Sequence, residues 1–174
     1  MSDQPTASAT YRGKPVTIIG TPLHVGDAMP NATLLNPDWG EVALSRFSNR
    51  VRLFSVIPSL ATGICDTQTR RLNEEARRYA DRVHVITIST DLPFAQKRWQ
   101  TDAEANAITL LSDQMHLEFG DAIGAHIKEL RVLQRCLLVV KADGRVAYAE
   151  YVPEIAQHPD YDAALAAVDA ALAE

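Results

Sequence analysis

The residues best suited to chemistry lie at positions 58–65, which read PSLATGIC. An apolar run, residues 51–57, precedes them, and a segment with apolar residues at helical spacing follows. The pattern predicts a strand, a sharp turn and a helix with Cys65 in its first turn. There a thiolate is stabilised by unpaired backbone N–H groups and by the positive end of the helix dipole. Thr62 lies three residues earlier, so if the turn is helical its hydroxyl is expected beside the sulfur, where it can donate a hydrogen bond.

A purely structural interpretation of the same stretch is also open. A single cysteine is commonly a small buried hydrophobe, and Cys65 lies on the apolar stripe of its predicted helix. Threonine and glycine are frequent at helix starts, where they act as caps and turn formers. Spacing alone therefore does not decide between a reactive and a structural Cys65.

The pattern Pro58-x-x-x-Thr62-x-x-Cys65 resembles the active-site signature of the peroxiredoxins, and the whole stretch is most similar to the thiol peroxidase branch of that family. Residues 89–96, STDLPFAQ, and residues 152–161, where VPEI is followed by PDY, resemble the same branch. The resemblance implies a thiol-dependent peroxidase that reduces hydrogen peroxide and organic hydroperoxides. In such an enzyme Cys65 is the peroxidatic cysteine and becomes a sulfenic acid.

The resemblance also implies roles for residues around Cys65. Peroxide reduction needs a thiolate that attacks one oxygen of the O–O bond and donors that stabilise charge on the leaving oxygen. Arg135 falls where the family's active-site arginine lies, and its planar, permanently charged guanidinium suits both tasks. The alternative for Arg135 is a solvent-exposed residue at a strand edge. Pro58 is expected either to shield the sulfur or simply to end the strand.

The sequence departs from the family pattern at the resolving position. Thiol peroxidases usually carry a second cysteine in the helix after the Leu-Pro-Phe-Ala-Gln motif, and Gln100 stands there. Ala61 stands where the family commonly has aspartate. The remaining thiol, Cys136, is one residue out of phase with Arg135 in a predicted strand, so it is expected to pack in the core and face away from Cys65.

We therefore expect a one-cysteine peroxidase whose sulfenic acid is reduced by an external thiol. Thioredoxin, glutaredoxin and a low-molecular-weight thiol all remain open as reductants. A peroxide-sensing redox switch would form the same sulfenate but turn over slowly. A non-catalytic thioredoxin-fold binding module is compatible with the missing resolving cysteine, but Pro58, Thr62, Cys65 and Arg135 together argue against it.

Composition argues against several other classes of protein. The 174 residues carry a formal net charge of −5 and no basic run, which disfavours a nucleic-acid partner. Two cysteines cannot build a disulfide framework, and no stretch is long and apolar enough to span a bilayer, so a cytoplasmic protein without a membrane partner is expected. Neither a metal nor a cofactor is expected, because the histidines lack ligand spacing and the glycines form no phosphate-binding pattern. The family resemblance implies a homodimer.

The flanking elements predict an α/β fold. Strand 51–57, the Cys65 helix and strand 83–89 predict a parallel pair with a helical crossover. A helix from Pro93 to about Thr101 follows, with Asp91 as its cap. An Asp-Gly pair between two apolar runs predicts an antiparallel hairpin, and a last helix follows.

This order of elements matches the thioredoxin-like fold of the peroxiredoxins, a central mixed sheet flanked by helices. An N-terminal β-hairpin around Gly13 resembles the hairpin that the thiol peroxidase branch adds. Residues 1–10 are expected to form a flexible tail and residues 11–174 a single domain. Residues 120–134 are mixed in character, and we expect a loop with some helix there.

Overall fold

The computed structural model describes residues 8–174, which form two β-sheets with helices packed against them. The strands are β1 (Ser8–Tyr11), β2 (Lys14–Ile19), β3 (Thr33–Leu35), β4 (Glu41–Ala43), β5 (Val51–Val56), β6 (Val83–Ser89), β7 (Thr109–Ser112), β8 (His126–Ile127), β9 (Val132–Leu133), β10 (Cys136–Val140) and β11 (Val146–Tyr151). The α-helices are α1 (Gly63–Tyr79), α2 (Pro93–Asp102), α3 (Glu118–Ala122) and α4 (Tyr161–Leu172). Within these residues, the larger sheet has the order β11-β10-β5-β6-β7-β3-β4 and the smaller one the order β1-β2-β8-β9.

Strand β5 lies in the middle of the larger sheet. It pairs parallel with β6 and antiparallel with β10, and every residue of β5 is buried. Because the strand is nearly all apolar, the sequence predicted that both of its faces would be covered. Side chains of α1 and α4 cover one face, and side chains of β3, β4 and α3 contribute to the cover on the other.

Strand β10 shows how the two faces are separated. Leu137 and Val139 belong to the apolar cluster under α1 and α4, whereas Cys136, Leu138 and Val140 belong to the cluster on the opposite face. Successive side chains of a strand point to opposite faces, so neighbouring residues of β10 pack into different apolar clusters.

Several predicted elements are confirmed. The helix α1 connects β5 to β6, which spans residues 83–89 as predicted and runs parallel to β5. Strands β10 and β11 form the antiparallel hairpin. Helix α4 begins after Asp160, whose side chain accepts the backbone N–H of Ala163 at 3.0 Å.

The prediction that Asp91 caps α2 is wrong. The N-cap is Leu92, and Pro93 occupies the first position, where a missing N–H costs no hydrogen bond. The Asp91 carboxylate instead accepts the hydroxyl of Ser59 at 2.7 Å and the backbone N–H of Leu60 at 2.8 Å. The Asp91 carboxylate therefore accepts hydrogen bonds from residues distant in sequence and does not cap α2.

Two predictions about irregular segments need correction. Residues 120–134 begin with the end of α3, so the predicted helical part is confirmed, but they also contain the short strands β8 and β9, because pairing with β2 extends the N-terminal hairpin into a sheet. Strand β1 begins at Ser8 and pairs with β2, so the hairpin starts inside the region predicted as a tail, residues 1–10. The first seven of those residues lie outside the described part of the chain.

Within residues 8–174, no helix has the length and apolar character needed to cross a bilayer. Over the same residues, no group of three or more histidine, cysteine, aspartate or glutamate side chains could hold a metal ion.

Candidate active site

Cys65 is the third residue of α1 and is fully buried. Thr62 is the N-cap, with extended backbone angles of φ −96° and ψ 148°, and its carbonyl accepts the N–H of Asp66 at 2.9 Å. The cysteine therefore lies in the first turn, as predicted. The free backbone N–H groups and the positive end of the helix dipole stabilise an anion at this position.

A guanidinium group contacts the sulfur directly. Arg135 Nη2 lies 3.4 Å from Cys65 Sγ, and the Arg135 side chain is 2% exposed. Its other contacts are to neutral oxygens. Nη1 donates to Gln68 Oε1 at 2.9 Å, while Nε and Nη2 donate to the Ile155 carbonyl at 3.2 and 3.0 Å. These acceptors carry no net charge, whereas Cys65 is an ionisable group in direct contact with the buried cation.

Gln68 is a site residue that the sequence interpretation missed. It is fully buried one turn after Cys65, and its Nε2 donates to Ser55 Oγ at 2.8 Å while its Oε1 accepts from Arg135. The Ser55 bond fixes which end of the amide faces the guanidinium. The available signal was a polar residue on the apolar stripe of α1, matched by a serine within the apolar strand β5.

Thr62 reaches the site but makes a different hydrogen bond from the predicted one. Its hydroxyl donates to the Ser59 carbonyl at 3.2 Å, so its single proton is not directed at Cys65 Sγ. The reason is that Thr62 lies at the N-cap, just outside the helical turn that the spacing argument assumed. The side chain is exposed and lines the cleft described below.

The Asp91 carboxylate stabilises the loop between β5 and α1 by accepting hydrogen bonds from it. Its Oδ1 accepts the Ser59 hydroxyl at 2.7 Å, and its Oδ2 accepts the Leu60 N–H at 2.8 Å and the Ser89 hydroxyl at 2.7 Å. These bonds join the end of β6 to the loop that carries Pro58 and Thr62. Asp91 lies in the stretch 89–96, which was singled out for its resemblance and not for this contact.

A cleft of about 480 Å³ is lined in part by Arg135, the residue that contacts the sulfur. Pro58, Thr62 and Arg135 line it, together with Tyr11, Arg12, Ser59, Gly63, Ile64, Leu130, Val132, Ile155 and Ala156. Most of these side chains are apolar. Three of the four predicted site residues, Pro58, Thr62 and Arg135, therefore line one cleft. Cys65 is buried and contacts Arg135.

The other predicted positions lie apart from this cleft. Cys136 is fully buried in the apolar cluster on the opposite face of the sheet from Cys65, as predicted, and burial raises the pKa of its thiol. Gln100 lies in α2, where its Nε2 donates to the Ala105 carbonyl at 3.0 Å and closes the end of that helix. Ala61 is exposed in the β5–α1 loop, and its N–H donates to Ser59 Oγ at 3.2 Å.

Comparison with known proteins adds independent evidence on the family. The Redoxin family model matches residues 24–165. The thiol peroxidase of Halalkalibacterium halodurans is 49% identical over 166 residues, covering 95% of this chain and 99% of its own length. The thiol peroxidase of Listeria innocua is 50% identical over 159 residues, covering 91% and 95%. The chain belongs to the Redoxin family, in its thiol peroxidase branch.

Solved structures of redoxins agree with this assignment. A peroxiredoxin-like protein from Aquifex aeolicus superposes with a TM-score of 0.88 at 32% identity, covering 94% of this chain and 96% of that protein. The chain thus has the thioredoxin-like peroxiredoxin fold, with a mixed sheet and flanking helices, as the sequence predicted.

Proposed function

We propose that this protein reduces hydrogen peroxide and organic hydroperoxides with Cys65 as the peroxidatic nucleophile, and that an external thiol regenerates it. The observation that carries the proposal is the contact of Arg135 Nη2 with Cys65 Sγ at 3.4 Å, at the start of α1. The names of the thiol peroxidase relatives, at about half identity over nearly the whole chain, support the same activity.

In the first step the Cys65 thiolate attacks one oxygen of the peroxide. A sulfur–oxygen bond forms, the O–O bond breaks, and the leaving oxygen takes a proton to become water or an alcohol. Sulfur is oxidised by two electrons to sulfenic acid, and the peroxide is reduced. Arg135 is placed to stabilise both the thiolate and the charge that develops on the leaving oxygen, because its guanidinium keeps its charge and has several donors.

Thr62 and Pro58 complete the proposed peroxide site. A hydroxyl rotates freely, so Thr62 can exchange the Ser59 carbonyl for a peroxide oxygen in the cleft. Pro58 is buried at the end of β5 and also lines the cleft, where its ring limits the approach of water. A volume of about 480 Å³ is large enough for an organic hydroperoxide as well as for hydrogen peroxide.

The second step is the attack of an external thiol on the sulfenic acid. A mixed disulfide and water form, and a second thiol then releases Cys65 and leaves with the new disulfide. The position of Cys136 on the opposite face of the sheet supports this one-cysteine cycle. Thioredoxin, glutaredoxin and a low-molecular-weight thiol remain candidate reductants, and we further propose a cytoplasmic homodimer.

The test is steady-state peroxide consumption with each class of reductant in turn. Turnover with at least one thiol, lost in Cys65→Ser, supports the proposal. A single stoichiometric oxidation of Cys65 followed by slow turnover with every thiol would instead indicate a redox switch. No reaction of Cys65 with peroxide would leave a binding module.

A further inference from the structure

The Ile155 carbonyl holds the side chain of Arg135 in position. The Nε and Nη2 groups of Arg135 both donate to this single oxygen, at 3.2 and 3.0 Å. The same Nη2 contacts Cys65 Sγ at 3.4 Å. A shift of the Ile155 backbone would therefore move the guanidinium relative to the sulfur.

The backbone around Ile155 is held by the N-terminal hairpin. The N–H of Thr10 donates to the Pro153 carbonyl at 2.8 Å, and the N–H of Ile155 donates to the Thr10 carbonyl at 2.9 Å. These two bonds make an isolated parallel bridge between β1 and the segment after β11. Tyr11 and Arg12 of the same hairpin line the cleft.

The side chain of Glu154 fastens this bridge. Its carboxylate accepts the Thr10 hydroxyl at 2.6 Å and the backbone N–H groups of Arg12, Gly13 and Ala156 at 2.9, 3.1 and 3.1 Å. The turn residues Arg12 and Gly13 have φ of 51° and 75°, which turns their N–H groups toward the carboxylate. These donors lower the pKa of Glu154 to about 2, so it is ionised at any physiological pH.

We propose that Glu154 is a positioning residue for the peroxidase reaction, which ties the N-terminal hairpin to the carbonyl that orients Arg135. The proposal rests on the proposed function of Cys65. Glu154 acts through the peptide backbone, because its carboxylate binds the hairpin and not the guanidinium. The cation is thus oriented without a carboxylate beside it to compete with the thiolate.

The first test compares two glutamates that each accept hydrogen bonds from the N-terminal hairpin, Glu154 from β1 and its turn and Glu129 from β2. Glu154→Gln replaces two acceptor oxygens by one and places an amide NH₂ against converging donors, so oxidation of Cys65 by hydrogen peroxide should slow about 10-fold. Glu129→Gln is the matched control. Glu129 accepts the N–H and hydroxyl of Thr17 on β2, but its own segment makes no bond to Arg135 among the described residues, so its rate should match wild type.

A double-mutant cycle separates positioning from general stability. In an Arg135→Lys background, which keeps the charge but lacks the planar fork, Glu154→Gln should slow oxidation by less than about 2-fold further. Additive effects of Glu154→Gln and Arg135→Lys would overturn the proposal. Equal losses in Glu154→Gln and Glu129→Gln would also overturn it. If Glu154→Gln does not fold, Thr10→Val removes one of the four donors and should give a smaller loss of rate.

A peroxide-independent measurement separates failure of this inference from failure of the proposed function. The ultraviolet absorbance of the Cys65 thiolate, followed as a function of pH, reports the Arg135 contact, and Cys136 does not contribute because burial raises the pKa of its thiol. Glu154→Gln should reduce this absorbance relative to wild type and Glu129→Gln. Wild-type absorbance and oxidation rate in Glu154→Gln would overturn the positioning role alone. A wild-type protein that does not react with peroxide would overturn both proposals.

Discussion

The two cysteines of this chain are equally inaccessible, yet their surroundings are opposite. Cys65 and Cys136 both have 0% exposure. Cys65 lies at the start of α1 against the guanidinium of Arg135, whereas Cys136 is the first residue of β10 in the larger sheet and packs among apolar side chains. The residue next to Cys136 in sequence is Arg135 itself, so the strand phase alone places the cation with one thiol and not with the other.

This difference shows that equal burial can place two thiols in opposite electrostatic surroundings. Burial, with a smaller contribution from the negative charge of Glu150, raises the pKa of the Cys136 thiol, so Cys136 behaves as a small hydrophobe. The same degree of burial around Cys65 strengthens its attraction to a cation and a helix end, because little water screens them. The predictions below test that contrast, from the largest expected effect to the smallest.

The largest effect is expected from exchanging each sulfur for oxygen. Cys65→Ser should abolish peroxide consumption, because serine keeps the volume but not the nucleophile. Cys136→Ser should keep full activity with an external reductant, although an unpaired hydroxyl in that apolar cluster should cost about 1–3 kcal/mol of stability. Peroxide assays and thermal unfolding of both variants measure the two effects. Activity lost in Cys136→Ser at a temperature where it is folded would contradict the contrast.

The next effect concerns the groups that distinguish Cys65 from Cys136. Arg135→Leu removes the charge next to the sulfur, and Thr62→Val removes a hydroxyl donor at nearly constant shape. Each should slow the oxidation of Cys65 by roughly 10- to 1,000-fold, the range for loss of one transition-state donor. Stopped-flow oxidation rates measure this directly. Unchanged rates in both variants would mean that Cys65 is reactive for another reason.

A smaller effect on the oxidation rate is expected when a neutral hydrogen-bond acceptor of Arg135 is replaced by a carboxylate. Gln68→Glu is nearly isosteric and sets a second anion beside the guanidinium, in competition with the thiolate. Oxidation of Cys65 should slow by about 10-fold at neutral pH and recover as the pH is raised, because a neighbouring carboxylate makes the thiolate form only at higher pH. Gln68→Met, which adds no charge, is the matched control and should lack this pH dependence. A pH profile that is the same for both variants would contradict the competition.

The smallest effect is a change of stability with pH, expected from Asp113 on the face of the sheet that contains Cys136. Burial raises the pKa of Asp113 from 3.8 to about 6, although its carboxylate accepts the N–H groups of Phe119 and Gly120. A raised folded-state pKa means that the protonated form stabilises the fold. This stability is fully present below the unfolded pKa and falls by about 3 kcal/mol at most as pH rises through about 6.

Urea unfolding at pH values on either side of this range measures the contribution. Asp113→Asn should flatten the pH dependence of stability between about pH 4 and 6. It should leave the oxidation rate of Cys65 unchanged, because Asp113 lies outside the active-site cleft. A variant with the wild-type pH dependence would show that another group titrates there.

The parts of the fold that could be predicted are those set by local periodicity. The apolar run before Pro58 and the helical stripe after it determined β5 and α1, and strand alternation determined that Cys136 faces away from Cys65. Asp91 could not be assigned because its capping role loses to long-range donors from Ser59 and Leu60. Strands β8 and β9 are two residues each and exist only through pairing with the hairpin, so they leave no period in the sequence.

The site divides in the same way. Motif position and the family resemblance predicted Cys65, Thr62 and Arg135 as site residues. The alternation of side chains along β10 explains why Arg135 faces the sulfur. Gln68 and Glu154 act through contacts with elements distant in sequence, so spacing within a motif could not indicate them. The direction of the Thr62 hydroxyl depends on where α1 begins, which sequence fixes only to within a residue or two.

The most direct test of the contrast between the two thiols is oxidation with substoichiometric hydrogen peroxide, followed by intact-mass analysis and peptide mapping with a sulfenic-acid reagent. The account predicts one added oxygen on Cys65, or a mixed or intersubunit disulfide through Cys65, with Cys136 recovered as a free thiol. Bridging Cys65 to Cys136 would require a strand end to invert, because the two side chains occupy opposite faces of the sheet. A disulfide between Cys65 and Cys136 within one chain would contradict the account.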